Sequence, residues 1–230
     1  MKDLGKIVLH IPAREGSKRV KKKNMRLMAS HPMIYYATSA SVKSKVTDNV
    51  YVNTDSKEIQ NYISLNFATV RIYEREKTLA SDYASSDEFN YDIIKKLSPD
   101  TLIMINPVCP LIDEFDIKNA LDLFKRSNCD TLISSSSTQM QTFCNGNPVN
   151  INLNEQLAPS QNNDKVTTLN WAITIWDVKS FKDRMKLQNY AVLGNNRLFF
   201  DIDPLKGVKV SEEKDFLFIE NIMKSTNLQD

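Results

Sequence analysis

Residues 11–24, IPAREGSKRVKKKN, hold six Lys or Arg side chains and one Glu. The whole chain sets 30 basic residues against 28 acidic ones, for a formal net charge of +2. So local a concentration of charge on a nearly neutral chain calls for an anion at that place. Lys18, Arg19 and Lys23 can each meet phosphate oxygens, and Ser17 adds a hydroxyl donor. Gly16 can take a left-handed backbone, which would let neighbouring N–H groups converge on an anion. One unit-charge contact at about 4 Å contributes roughly 4 kcal/mol at a surface-like dielectric, before desolvation. Several such contacts could hold a triphosphate. With a single glycine the stretch matches neither the P-loop nor the G-x-G-x-x-G spacing. A solvated basic loop, or one touching RNA, would share this composition. The loop has no aromatic side chain on which a base could stack, which argues against RNA.

A second candidate lies far downstream. Asp201 and Asp203, in DIDP, are two residues apart, so on an extended segment they project to one side. Paired carboxylates repel unless a proton or cation lies between them. Mg²⁺ favours a few carboxylates together with phosphate oxygens. Asp and Pro also mark strand ends and turns, so the same residues could be purely structural. No Ser–His–Asp or Cys–His pattern is present, and phosphoryl transfer needs none, since it runs on positioning and charge neutralisation. His10 and His31 are expected to be structural, Cys109 a small packing residue, and Trp171 and Trp176 core or interface.

The elements that must position these residues alternate. Apolar, β-branched runs at 6–11, 49–54, 69–73, 101–106 and 130–136 read as strands. Helices are expected from Pro32, from Asp55 or Ser56, over about 85–96, and after Asp113, where Ile117, Ala120, Leu121 and Phe124 share a face. Strands follow at 170–176 and 197–203, with a last helix from Ser211 to about Lys224. This alternation predicts a doubly wound α/β fold with a mostly parallel sheet, whose ligands bind at the carboxyl ends of the strands. The basic loop follows the first strand and so falls on that edge. Residues 137–168 break the rhythm with Asn, Gln, Ser and Thr, and read as an inserted arm or lid within one domain spanning 1–230. Three cysteines without metal-ligand spacing suit reduced thiols in the cytoplasm. The early apolar run is too short for a signal peptide, and no stretch approaches the ~20 apolar residues of a membrane span.

The stretch 11–24 resembles the P-A-R-x-G-S-K signature, with its basic tail ending K-N, of the CMP-sialic acid synthetase (acylneuraminate cytidylyltransferase) family. LASDYASS (79–86), with Arg75 ahead of it, resembles that family's L-A-S-D-T-A-S-S. DIDP resembles its D-I-D-T metal motif, and NTD (53–55) its S-T-D. The resemblance implies a nucleotide-diphospho-sugar transferase-like fold, a Mg²⁺-dependent transfer of CMP from CTP to an anionic small-molecule acceptor, release of pyrophosphate, and a homodimer formed through the insertion. It assigns Arg14, Gly16, Ser17, Lys18, Lys23 and Asn24 to the triphosphate, with Arg14, Lys18 and Lys23 as the catalytic cations. Arg75, Ala80 and Ser81 go to the cytidine, Asn106 and Asn170 to the acceptor, and Asp201 and Asp203 to the metal.

The acceptor side departs from the pattern. NPVCPLI (106–112) stands where Q-P-T-S-P-L-R is usual, and NWAIT (170–174) where N-G-A-I-Y is usual, so Trp171 replaces a glycine. Tyr83 replaces a small Thr and could crowd the site or stack on a ligand. Only one basic residue, Lys165, lies between 127 and 178. The expected activity is therefore cytidylyl transfer to an acidic sugar or other anionic hydroxy compound. The alternative is a protein of the same fold that binds CTP without turning it over. Neither nucleic acid nor membrane is an expected partner.

Overall fold

The computed structural model describes residues 1–226. Strand β1 (Ile7–Pro12) is a buried apolar run. The basic loop follows it and leads into a two-residue ribbon of β2 (Leu27–Met28) and β3 (His31–Pro32), then helix α1 (Met33–Ser44). Next come β4 (Val50–Thr54), α2 (Lys57–Asn66), β5 (Arg71–Glu74), α3 (Ser86–Leu97), β6 (Thr101–Ile105), α4 (Glu114–Arg126) and β7 (Thr131–Thr138). The chain continues through a small hairpin, β8 (Phe143–Cys144) and β9 (Asn147–Pro148), into the long β10 (Val166–Asp177), α5 (Val178–Gln188), β11 (Arg197–Asp201) and α6 (Glu213–Ser225).

Seven strands form one sheet in the order β11-β7-β10-β6-β1-β4-β5. All are parallel except β10, which runs antiparallel to both β6 and β7. From β1 the chain winds outward through β4 and β5, then returns to place β6 on the other side of β1. The crevice at the carboxyl ends of β1 and β6 is thus a topological switch point, where doubly wound sheets bind ligands.

Strand alternation divides the core between two faces. Leu9, Ile11, Ile103, Ile105, Ile173 and Ile175 pack under α1, α2 and α4. Val8, Leu102, Met104 and Trp176 point the other way, under α3 and α5. A third cluster seats α6 through Phe216, Ile219 and Met223 against Val20 of the basic loop and against Met28 and Met33. Helix α3 starts with a reciprocal capping box between Ser85 and Glu88, and α4 with one between Asp113 and Asp116. The last helix begins two residues later than expected, with Glu212 at the cap position and Asp215 taking the N–H groups of Ser211 and Glu212.

Helix α5 has no counterpart among the expected elements. Its buried face is only Val178, Phe181 and Arg184, the last held at 3.0 Å by Asp130. A charged residue in the packing face hides the amphipathic period. The segment 139–165 projects from the paired ends of β7 and β10. Asn150 organises it, donating to the carbonyls of Met140 and Asp164 and accepting from the N–H of Thr142.

Candidate active site

The basic loop extends the line of β1, with the Ala13 N–H still donating to the Asn53 carbonyl at 2.9 Å. It is closed from within. The buried Asn24 donates through Nδ2 to the Arg14 carbonyl at 3.1 Å, and the N–H groups of Met25 and Arg26 both reach the Lys22 carbonyl at 2.9 Å. Lys22 makes the tight turn, at φ 49°. This corrects the expectation for Gly16, whose φ is not left-handed. A Cβ at Gly16 would meet nothing within 4 Å, so neither backbone angle nor crowding requires a glycine there.

Arg14 spans the site. Its Nη1 donates to the Ser81 carbonyl at 2.9 Å and, at 3.4 Å, to that of Ala80; its Nη2 lies 2.9 Å from Asp82. Lys18 reaches the same Asp82 carboxylate at 2.5 Å, which holds that carboxyl below its usual range. Lys23 turns inward and donates to the Val210 carbonyl at 3.0 Å. Burial, then the positive charges of Arg19, Lys209 and Arg14, push its pKa down to about 8, against an opposing pull from Cys109. The buried Cys109 thiol is itself pushed up to about 12. Lowered this far, the Lys23 amine would be favoured in its charged form by any anion placed beside it.

These groups line a cavity of about 870 Å³ at the switch point. Arg75 forms part of its floor. The buried guanidinium donates to Asn53 Oδ1 at 2.7 Å and to the Asn53 carbonyl at 3.0 Å, and lies 4.6 Å from the Phe89 ring centre. His10, fully buried on the same face of β1, is kept neutral, with its pKa driven to about 3 by burial and by Arg75. It meets Phe89 edge-on and has no place in the cavity lining, as expected of a structural histidine.

Part of the lining is apolar. It is built from Met104, Trp171, Tyr190, Val192 and Leu193. Asp87, in the first turn of α3, holds that wall in place by accepting the N–H groups of Ala191 at 2.5 Å and Val192 at 2.8 Å. Trp171 sits at φ 59°, within a register shift of β10 between Leu169 and Thr174. A left-handed backbone costs a residue with a Cβ about 1–2 kcal/mol. Trp171 lines the cavity while packing, partly buried, against the core, whereas Trp176 is fully buried. Tyr83 is 97% exposed and does not line the cavity.

The structure thus gathers Arg14, Ser17, Lys18, Lys23, Asn24, Arg75 and Asn106 around one cavity. Gly16, Ala80 and Ser81 stand behind this lining; Ala80 and Ser81 touch it through Arg14. Asn170 is turned away, its amide locked between the Ser134 and Ser136 hydroxyls. Asp87, Phe89, Tyr190, Val192, Leu193 and Lys209 had no signal in their local spacing, because chain topology alone brings them together.

Asp201 and Asp203 lie outside the cavity lining. Asp201 ends β11, four strand positions from β1 on the same carboxyl edge, roughly 19 Å at the usual strand spacing. Ile202 between them is buried and both aspartates are exposed. Asp201 accepts from the Ser135 and Ser137 hydroxyls at 2.7 and 3.0 Å, which lowers its pKa, and Asp203 accepts from the Leu205 N–H at 2.8 Å. Among the described residues neither forms an ion pair, and no cluster of three potential metal ligands occurs. Such a donor set fits a cation that takes its remaining ligands from phosphate and water. The chain leaving Asp203 leads back to the cavity: Gly207 packs on Asn170, Lys209 lines the cavity, and Val210 bonds both Val108 and Lys23.

Comparison with known proteins agrees with this geometry. A protein from Campylobacter coli named post-translational flagellin modification protein B is 30% identical over 236 residues, covering 98% of each chain. The CMP-N,N'-diacetyllegionaminic acid synthase of Legionella pneumophila is 27% identical over 184 residues, covering 76% of this chain and 79% of that one. The CTP complex of CMP:2-keto-3-deoxy-manno-octonic acid synthetase shares the fold, with a TM-score of 0.72 at 14% identity over 96% of this chain and 99% of that one. The cytidylyltransferase family model matches residues 8–195, and the chain belongs to that family of CTP-dependent nucleotidyltransferases.

Proposed function

We propose that this cytidylyltransferase transfers CMP from CTP to an acidic sugar and releases pyrophosphate. The observation that carries the reading is one cavity at the switch point whose lining joins the basic loop's cations to apolar side chains. Lys18 and Lys23, with Arg14, hold the triphosphate, and Arg75 meets the cytosine ring over Phe89. The acceptor hydroxyl oxygen attacks the α-phosphorus, forming one P–O bond and releasing its proton to solvent. The bond from the α-phosphorus to the bridging oxygen breaks, and pyrophosphate leaves with that electron pair. The loop's positive charge offsets what accumulates on the leaving group.

The name of the Legionella relative points to an acidic sugar as acceptor. Lys209 and Arg19, on the cavity lining, are suited to its carboxylate and offset the shortage of basic residues in the inserted segment. Cytidylyltransferases generally use a divalent metal. In our reading this is Mg²⁺ held by Asp201 and Asp203, and when bound it would neutralise developing phosphate charge.

The whole chain works as a single domain in this reading, and the insertion 137–168 is an arm through which two copies pair. Its exposed Met140, Phe143, Val149, Leu153 and Leu157 supply the apolar surface. No helix among the described residues is long and apolar enough to cross a membrane. The three cysteines are free, which suits a cytoplasmic setting.

The test is pyrophosphate release from each of the four nucleoside triphosphates against a panel of acidic sugars and hydroxyalkylphosphonates. Release with CTP and an acidic sugar is expected. CTP binding without release for any acceptor would leave only the non-catalytic alternative.

A further inference from the structure

Between β11 and α6 the chain runs as irregular backbone, yet it is fastened along its length. Ile202 donates its N–H to the Ser135 carbonyl of β7 at 3.0 Å. Gly207 lies so close to β7 and β10 that a Cβ there would meet Ser136 Oγ at 2.9 Å and Asn170 Nδ2 at 2.7 Å. The Val210 N–H reaches the Val108 carbonyl, just past β6, at 2.8 Å, and the Val210 carbonyl accepts from Lys23 Nζ at 3.0 Å. Residues 203–210 therefore form a strap that crosses from β11 to the basic loop. Asp203 stands at one end, and Lys209 and the Val210 carbonyl at the other.

One side chain clamps the middle of the strap. Lys206 Nζ donates to Asp113 Oδ2 at 2.5 Å and to Asp116 Oδ2 at 2.9 Å. Those carboxylates form the capping box of α4 and are already fixed by the N–H groups of Asp113, Phe115 and Asp116. The Asp116 side chain is only 14% exposed and that of Lys206 30%, so the contact is screened less than a surface ion pair. A tether is needed at this place. Lys23 and Lys209 lie near each other and near Arg19 and Arg14, and these like charges push one another apart before any anion arrives. Lys23 Nζ is held by the Val210 carbonyl, so the path of the strap decides where that ammonium points.

We infer that Lys206 is a positioning residue for cytidylyl transfer: clamped to the start of α4, it fixes the strap so that Lys209 lines the cavity and the Val210 carbonyl holds Lys23 there. The inference rests on the proposed placing of the triphosphate on the basic loop. Lys206 itself stands outside the cavity lining and acts through the strap. Small displacements of a binding group cost far more than the loss of an exposed contact, which gives a remote clamp its leverage.

Lys206→Met alone would leave two carboxylates facing each other and would cost stability by itself. The experiment therefore combines it with Asp116→Asn, which removes both members of the closer-packed pair and keeps Asp113 as the cap. Removing both partners costs the fold little, so the circular dichroism of K206M/D116N should match wild type. The titration of Lys23 in the free protein is followed by its side-chain ¹³C resonance, identified by its loss in Lys23→Arg. In K206M/D116N the strap loosens, the amine gains water, and its midpoint should rise by about one pH unit or more. The dissociation constant for CTP should rise about tenfold, the scale of one misplaced charge-assisted contact. Lys206→Arg, whose fork can reach both carboxylates, should keep both values near wild type.

A clamp that served stability alone would lower Tm and move neither the midpoint nor the affinity. An unchanged Lys23 midpoint in K206M/D116N would overturn the inference, and so would a shifted midpoint with unchanged CTP affinity. If the wild type binds no CTP, the proposed site itself fails. The titration needs no ligand, so it still reads whether Lys206 governs Lys23.

Discussion

The two walls of the cavity are built by opposite means. The cationic wall comes largely from one loop, with Arg14, Lys18, Lys23 and Asn24 within eleven positions of sequence. It closes on itself through Asn24 and Lys22 before any ligand arrives. The apolar wall draws on β6, β10 and the turn after α5, and is pinned at a distance by Asp87. A site for a phosphate chain can be local, because charge and backbone N–H groups act over a few ångströms. A site for a sugar needs a shaped surface, which only the fold can assemble.

The largest way to break this comparison is to disable both walls' common product. Asp203→Ala should cut pyrophosphate release by about 10²–10³-fold, as expected for loss of a major charge-stabilising contact. Asp203 is exposed, so the circular dichroism spectrum and Tm should be unchanged. Full activity with ordinary Mg²⁺ dependence would remove the aspartates from the account.

Arg75→Ala should come next, with a mixed effect. It should weaken CTP binding and also destabilise the fold by about 1–3 kcal/mol, because Asn53 loses its partner in a buried setting. Denaturant melts and CTP titrations check the two parts. Lys18→Ala should act on the cationic wall alone. Its side chain is 80% exposed, so Tm should hold while CTP binding weakens about tenfold, one charge-assisted contact.

The smallest expected effect sharpens the comparison. Asp82 pairs with both Arg14 and Lys18 and offsets one of their two charges. Asp82→Asn should tighten CTP binding only about two- to threefold at low salt, and not at all at high salt, since exposed pairs contribute little and are screened. Weaker binding in D82N would mean that Asp82 serves the ligand directly.

How much of this was legible beforehand follows the same division. The basic loop, the strand before it and the helix caps at Ser85 and Asp113 can be read locally. Asp201 and Asp203 flank a buried Ile202, as their spacing suggested, but β11 ends at Asp201, so strand alternation carries no further. The loop's turn fell on Lys22 and not on Gly16, since the pair of N–H groups on the Lys22 carbonyl sets the geometry. Asn170 looked free to meet an acceptor, yet two serines of β7 hold its amide. Helix α5 was hidden by Arg184, whose burial depends on Asp130, 54 residues away. Trp171, expected in the core or at an interface, packs against the core and also lines the cavity, and its left-handed backbone is not announced by its residue type.

The account's central claim, that the loop's inward lysine awaits the triphosphate, has a direct reading in proton linkage. In the free protein Lys23 titrates near 8 instead of 10.5. Between those values the unfolded chain binds more protons than the folded one, so the free protein should gain stability as pH rises through that window. A triphosphate reverses the sign by favouring the charged lysine. Binding should therefore take up a proton above pH 8, and affinity should fall as pH rises further. Isothermal titration of CTP at about pH 8.5, in two buffers of different ionisation enthalpy, measures this uptake. The account predicts net proton uptake in the wild type, and its loss together with weakened binding in Lys23→Ala. No uptake, with an equal dissociation constant in K23A, would contradict it.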